Sequence, residues 1–109
     1  MNIKTFESFG NKLEYGDYIV IQIKDWKGIG NLKIMSVHNT PGPIGSKWLD
    51  YKVNVIYELL DNELKYVYEF EPKQYEKKFL EENCLYVTKD LQDAKNMIFI
   101  IKDTNKYNL

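Results

Sequence analysis

A chain of 109 residues with 44% hydrophobic and 15% aromatic content has the length of one domain and the apolar material for a core, which excludes a largely disordered chain. A formal net charge of −1 excludes a global field that would steer it to nucleic acid or membrane, and no apolar run approaches the roughly 20 residues of a membrane span. Cys84 is the single cysteine, so no internal disulfide forms, which fits a reducing compartment.

Charge is uneven. Residues 1–54 are slightly basic, whereas residues 55–109 are acidic, with Glu69, Glu71, Glu76, Glu81 and Glu82 close together. Every basic residue is lysine. Arginine's planar fork is the usual reader of guanine edges, so its absence argues against sequence-specific nucleic-acid recognition. Richness in Lys, Asn and Ile with a single alanine, Ala94, fits an AT-rich genome.

In chain order, residues 1–12 read as a tail or one to two turns of helix, with Ile3, Phe6 and Phe9 near one side and Gly10-Asn11 as a stop. Gly16-Asp17 is turn chemistry before a first strand. There Ile19, Ile21 and Ile23 share one face, while Tyr18, Val20, Gln22 and Lys24 share a more polar one. Residues 27–31 are a glycine-containing turn. They are not a phosphate-cradling loop, because neither a helix nor Gly-Lys-Ser/Thr follows. Residues 32–38 form a second strand, apolar on both faces in places. Residues 39–47 hold Pro41, Gly42, Pro43 and Gly45 and cannot form a regular element. Trp48 follows directly as an anchor.

Residues 51–59 alternate, with Tyr51, Val53, Val55, Tyr57 and Leu59 expected on one face. Asp61-Asn62 is a turn whose residues tolerate positive φ, and residues 64–70 return with Leu64, Tyr66, Tyr68 and Phe70 on one face. Pro72 opens an expected short helix over residues 72–82, with Tyr75 and Phe79 at i, i+4. Residues 85–88 are a last short strand. Thr88 or Asp90 then caps a helix from near Lys89 that carries Leu91, Ala94, Ile98 and Ile101 on one face. Residues 97–102 suit a strand equally well, and residues 103–109 read as a tail.

Two resemblances attach to these residues. Ile3-Lys4-Thr5-Phe6-Glu7-Ser8-Phe9 is similar to the leader of internal and accessory proteins of large tailed bacteriophages. That likeness implies delivery into the prohead followed by proteolytic removal, although only a partial processing site, Lys12-Leu13-Glu14, follows. Residues 14–88, through the Tyr15-Gly16-Asp17-Tyr18-Ile19-Val20 opening and the Tyr51-Lys52-Val53 strand, resemble the SH3-like small barrels, including their Tudor and KOW-type branches. The expected fold is therefore mainly β (α+β): a five-stranded SH3-like barrel with a short helix after the fourth strand and a C-terminal helix. It would span residues 13–102, between tails at 1–12 and 103–109. An OB-like barrel or an open α+β sheet is the competing architecture.

Candidate chemistry is sparse. His38, the only histidine, reads as a strand-end residue, and Cys84 as a small buried hydrophobe. A Cys84–His38 nucleophile pair lacks any flanking signature. No catalytic residue, metal set or cofactor is expected. The aromatic residues are the stronger lead. Tyr51, Tyr57, Tyr66 and Tyr68 are either core or, with Trp26 and Trp48, an exposed shelf. Such a shelf in SH3-like barrels holds peptides, and in nucleic-acid binders it stacks bases. The expected role is a non-enzymatic module that binds a host or virion protein, in the cytoplasm of an infected bacterium or inside the virion. The expected contacts are Trp26, Lys27, Lys33, Pro41, Pro43, Lys47 and Trp48. A nucleic-acid-associated barrel using Lys24, Lys27, Lys33, Lys47 and Lys52, or a small-ligand-binding counter-defence protein, is the alternative.

Overall fold

The computed structural model describes residues 13–39, 50–67 and 71–107. The expected tail at residues 1–12 lies outside them, as do Pro41, Pro43, Lys47, Trp48 and Tyr68.

The elements run β1 (Tyr18–Gln22), β2 (Leu32–Asn39), β3 (Asp50–Leu60), β4 (Glu63–Tyr66), β5 (Lys73–Glu76), α1 (Lys77–Asn83), β6 (Cys84–Thr88) and α2 (Leu91–Tyr107). All the strand pairings are antiparallel, in the order β4-β3-β2-β1-β6. β5 adds to β3 on the same side as β4, so β4 and β5 share one long edge. The protein is a mainly β globule with an antiparallel six-stranded sheet and two helices. Among the described residues the pairings form an open path, not a closed ring.

Both faces of the sheet are covered. Ile19, Ile21, Met35, Val37, Tyr51, Val53 and Val55 form one layer with Leu13, Leu80 of α1 and Cys84. Val20, Ile34 and Leu59 form the other with Ala94, Ile98 and Ile101 of α2. Val20 is therefore as buried as Ile19 and Ile21, against the amphipathic reading of β1, because α2 covers the face on which it lies. Each such side chain contributes about 1.5–3 kcal/mol when fully buried.

A β-bulge lets β3 serve both layers. Ile34 pairs with Tyr57, but the next β2 residue, Met35, pairs with Val55, which leaves Ile56 as an extra residue. One extra residue turns the rest of a strand over. Tyr51, Val53 and Val55 consequently face the α1 layer, whereas Tyr57 and Leu59 face α2. The single-face reading of residues 51–59 is corrected at this point. Asp61 (φ 49°) and Asn62 (φ 69°) form the expected positive-φ turn into β4.

The segment after Pro72 also differs from expectation. Residues 73–76 are strand, and the helix begins only at Lys77. The edge of β3 over residues 50–53 offers unpaired backbone groups, and β5 takes them. The Tyr75–Phe79 contact survives across the strand–helix junction, with ring centroids 5.5 Å apart and stacked. α2 matches its expected stripe and settles residues 97–102 as helix. It continues to Tyr107, so residues 103–107 are not a tail. Asp90 Oδ1 accepts the Gln92 N–H at 2.9 Å and caps the helix. Tyr86 donates its hydroxyl to Asp93 at 2.7 Å, fastening α2 to β6.

Candidate functional site

The turn between β1 and β2 presents the most exposed large hydrophobic side chain among the described residues, Trp26, with Ile29 beside it. Trp26 is 88% exposed and Ile29 is 65% exposed. Their presentation is rigid because Asp25 organises the turn. Its Oδ1 accepts the Lys27 N–H at 2.8 Å and the Ile29 N–H at 3.0 Å. Its backbone N–H donates to the Ile29 carbonyl at 2.8 Å, and its carbonyl accepts from Gly28 at 2.9 Å. An Asp at the first position with a Gly at the fourth is a recognised turn pattern, and Gly28 adopts φ 79°. Below the turn, Gln22 Nε2 donates to the Gly30 carbonyl at 2.8 Å. Gly30 lies so close to residue 23 that a Cβ there would collide with the Ile23 carbonyl oxygen. Lys27 Nζ sits 5.0 Å from the Trp26 ring centroid, a cation–π contact.

The structure divides the expected site residues. Trp26 and Lys27 share this turn. Lys33 lies on β2 opposite Glu58 of β3 and pairs with it at 3.9 Å, so its charge is matched within the sheet. That weakens a lysine track for phosphates. Pro41, Pro43, Lys47 and Trp48 fall outside the described residues. Ile29 was missing from the sequence-derived set, because loop residues have no periodicity to betray exposure. The Asp25-to-Gly28 spacing was the available signal.

The tyrosines separate as well. Tyr51 is fully buried, and burial raises its phenol above the ordinary range. Tyr57 is half-buried and meets the exposed Tyr66 edge to face, with centroids 5.6 Å apart, while Lys95 Nζ lies 4.5 Å from the Tyr57 centroid. Tyr66 thus belongs to the surface and Tyr51 to the core.

Cys84 is buried, and burial pushes its thiol up to about 12. It stays protonated near neutrality and is a poor nucleophile. His38 is exposed on β2, and β1 separates that strand from β6, so the Cys84–His38 pair does not form. Among the described residues no three His, Cys, Asp or Glu side chains gather as a metal site, and no helix is long and apolar enough to cross a membrane. Comparison of the chain with protein-family models, characterised proteins and solved structures finds no match in any of the three.

Proposed function

We propose that this chain is a protein-binding module whose contact surface centres on the β1–β2 turn. The observation that carries the reading is Trp26, 88% exposed on a turn held by four hydrogen bonds around Asp25. Tryptophan is enriched among residues that dominate binding energy, where truncation costs about 2 kcal/mol or more. A backbone already fixed beneath the ring loses little conformational freedom on binding, so more of the ring's burial appears as affinity. Ile29 extends the apolar contact beside it.

The finer fold reading belongs with this proposal. An SH3-like arrangement is supported by the β4-β3-β2-β1-β6 order and by the short helix before the last strand. In that reading β4 and β5 are two halves of one interrupted strand. A host or virion protein as partner, met in an infected bacterial cell or inside the virion, rests on the likeness of residues 3–9 to the phage leader.

The test is paired capture from nuclease-treated lysate of infected cells, using wild type and Trp26→Ala. The variant keeps its unfolding free energy to within about 0.5 kcal/mol of wild type, as an exposed position allows. It loses the proteins that wild type retains. Equal recovery by both would remove the turn as the contact surface. Retention that collapses on nuclease treatment, or falls steeply with salt, would transfer the reading to a nucleic-acid binder.

A further inference from the structure

A cleft of about 250 Å³ opens at one end of the sheet, between the β1–β2 turn, the turn at residues 61–62 and the later part of α2. It is smaller than the roughly 300–1,000 Å³ of pockets for drug-sized ligands, so it suits a compact metabolite. Leu32 and Leu59 give it an apolar lining and are each 6% exposed. Lys102 and Asp61 line it too. They do not pair with each other, and neither has an ion pair with any described residue. Gln22 is held by its Nε2 on the Gly30 carbonyl, which leaves Oε1 as an acceptor. Asp61 and Asn62 are fixed by their positive-φ turn, so their side chains start from a defined backbone.

This combination selects by charge. A simple anion meets Lys102 but also Asp61, and a simple cation meets the reverse. A purely apolar guest would desolvate both charges without replacing their water contacts. A molecule that carries an ammonium and a carboxylate on one carbon, with an apolar branch, satisfies all three features. We propose that the cleft binds a free α-amino acid with an aliphatic side chain. Its carboxylate meets Lys102 and the Asn62 amide, its ammonium meets Asp61 and Gln22 Oε1, and its side chain rests on Leu32 and Leu59. The cleft borders the β1–β2 turn through Gly30 and Asn31 but does not include Trp26, and leucine binding does not rest on the protein-binding reading.

L-Leucine is the probe, added to the full chain while backbone amides are followed by NMR. Saturable shifts are expected at Gly30, Asn31, Asp61 and Asn62. Isocaproate lacks the ammonium and isoamylamine lacks the carboxylate, so each is expected to bind about tenfold or more weakly. Lys102→Met and Asp61→Asn are expected to weaken leucine by a similar factor while keeping a native spectrum, since Asn tolerates the positive φ at residue 61. The proposal is overturned if leucine gives no saturable shift or shifts only amides remote from the cleft. It is equally overturned if a one-charge analogue binds as well as leucine, or if both variants bind leucine as wild type does.

Discussion

Asp17 Oδ1 lies 2.7 Å from Lys89 Nζ, and this pair ties the residue before β1 to the residue after β6. Asp17 is only 5% exposed. Its Oδ2 accepts the Glu14 N–H at 2.7 Å, and its carbonyl accepts from Val37 at 2.8 Å. Lys89 also reaches Glu14 at 3.0 Å. One carboxylate thus orders the entry to β1 and anchors the approach to α2. Asp17→Ala strands the Glu14 N–H and is expected to cost about 1–3 kcal/mol in urea unfolding. Asp17→Asn keeps an acceptor for that N–H and costs less. Equal losses from the two variants would mean that the turn hydrogen bond is not what Asp17 contributes.

Stability is expected to fall with rising pH in two stages. Burial raises Cys84 from 9.0 to about 12, so the unfolded thiol ionises before the folded one. A group whose folded pKa is raised gives stability that is intact below its unfolded pKa and lost as pH climbs through the folded one. For Cys84 the loss begins near pH 9 and proceeds at no more than about 1.4 kcal/mol per pH unit. Tyr86 is raised from 10.0 to about 12, chiefly by its hydrogen bond to Asp93, and Tyr51 is raised by burial. Lys89 is raised from 10.5 by Asp17 first and Glu14 second. These three act only above about pH 10. Cys84→Ala is therefore expected to flatten the stability curve between about pH 9 and 10 and leave the later fall in place. A slope unchanged by the substitution would remove the buried thiol as its source.

How much of this was legible beforehand depends on where the information resides. α2 was readable because Leu91, Ala94, Ile98 and Ile101 repeat at helical spacing within one segment. The turn at residues 61–62 was readable because only a few residue types tolerate its φ. The bulge at Ile56 was not readable. Ile56 puts one apolar residue on the polar face of the 51–59 alternation, but that alone does not mark a bulge, and the slip exists only relative to β2. β5 was equally hidden, because Lys73, Gln74 and Glu76 have little strand preference and the segment is extended by the open edge of β3. Of the site, Trp26 was legible as a lone aromatic beside a glycine turn. The cleft was not, since its walls come from three segments distant in sequence.

Deleting Ile56 tests the bulge directly. The deletion makes Val55 and Tyr57 neighbours, so Met35–Val55 and Ile34–Tyr57 pair without a slip while Tyr57 and Leu59 keep facing α2. Cooperative unfolding is expected to persist in the deletion variant, as in Ile56→Ala at this half-buried position. A deletion variant that no longer unfolds cooperatively would show that Ile56 is not the residue the β2–β3 ladder carries as extra.

The two glycines of the β1–β2 turn make different demands, and comparing them separates turn rigidity from turn shape. Gly28 has φ 79° with open space around its Cα, so Gly28→Ala carries only the left-handed backbone cost of about 1–2 kcal/mol. Gly28→Asn is expected to recover much of that, because asparagine visits this region. Gly30→Ala drives a methyl into the Ile23 backbone, which cannot rotate away, and is expected to cost more than Gly28→Ala. Displacing residue 30 also disturbs the Gln22 hydrogen bond to its carbonyl, so Ile29 and the Asp25 ring of contacts loosen together. Faster hydrogen exchange at the Lys27 and Ile29 amides would register this in Gly30→Ala. If Trp26 binds through its fixed presentation, partner capture should weaken in Gly30→Ala and recover in Gly28→Asn. Capture at wild-type strength by a protein whose Lys27 and Ile29 amides exchange freely would show that the exposed ring suffices without the rigid turn beneath it.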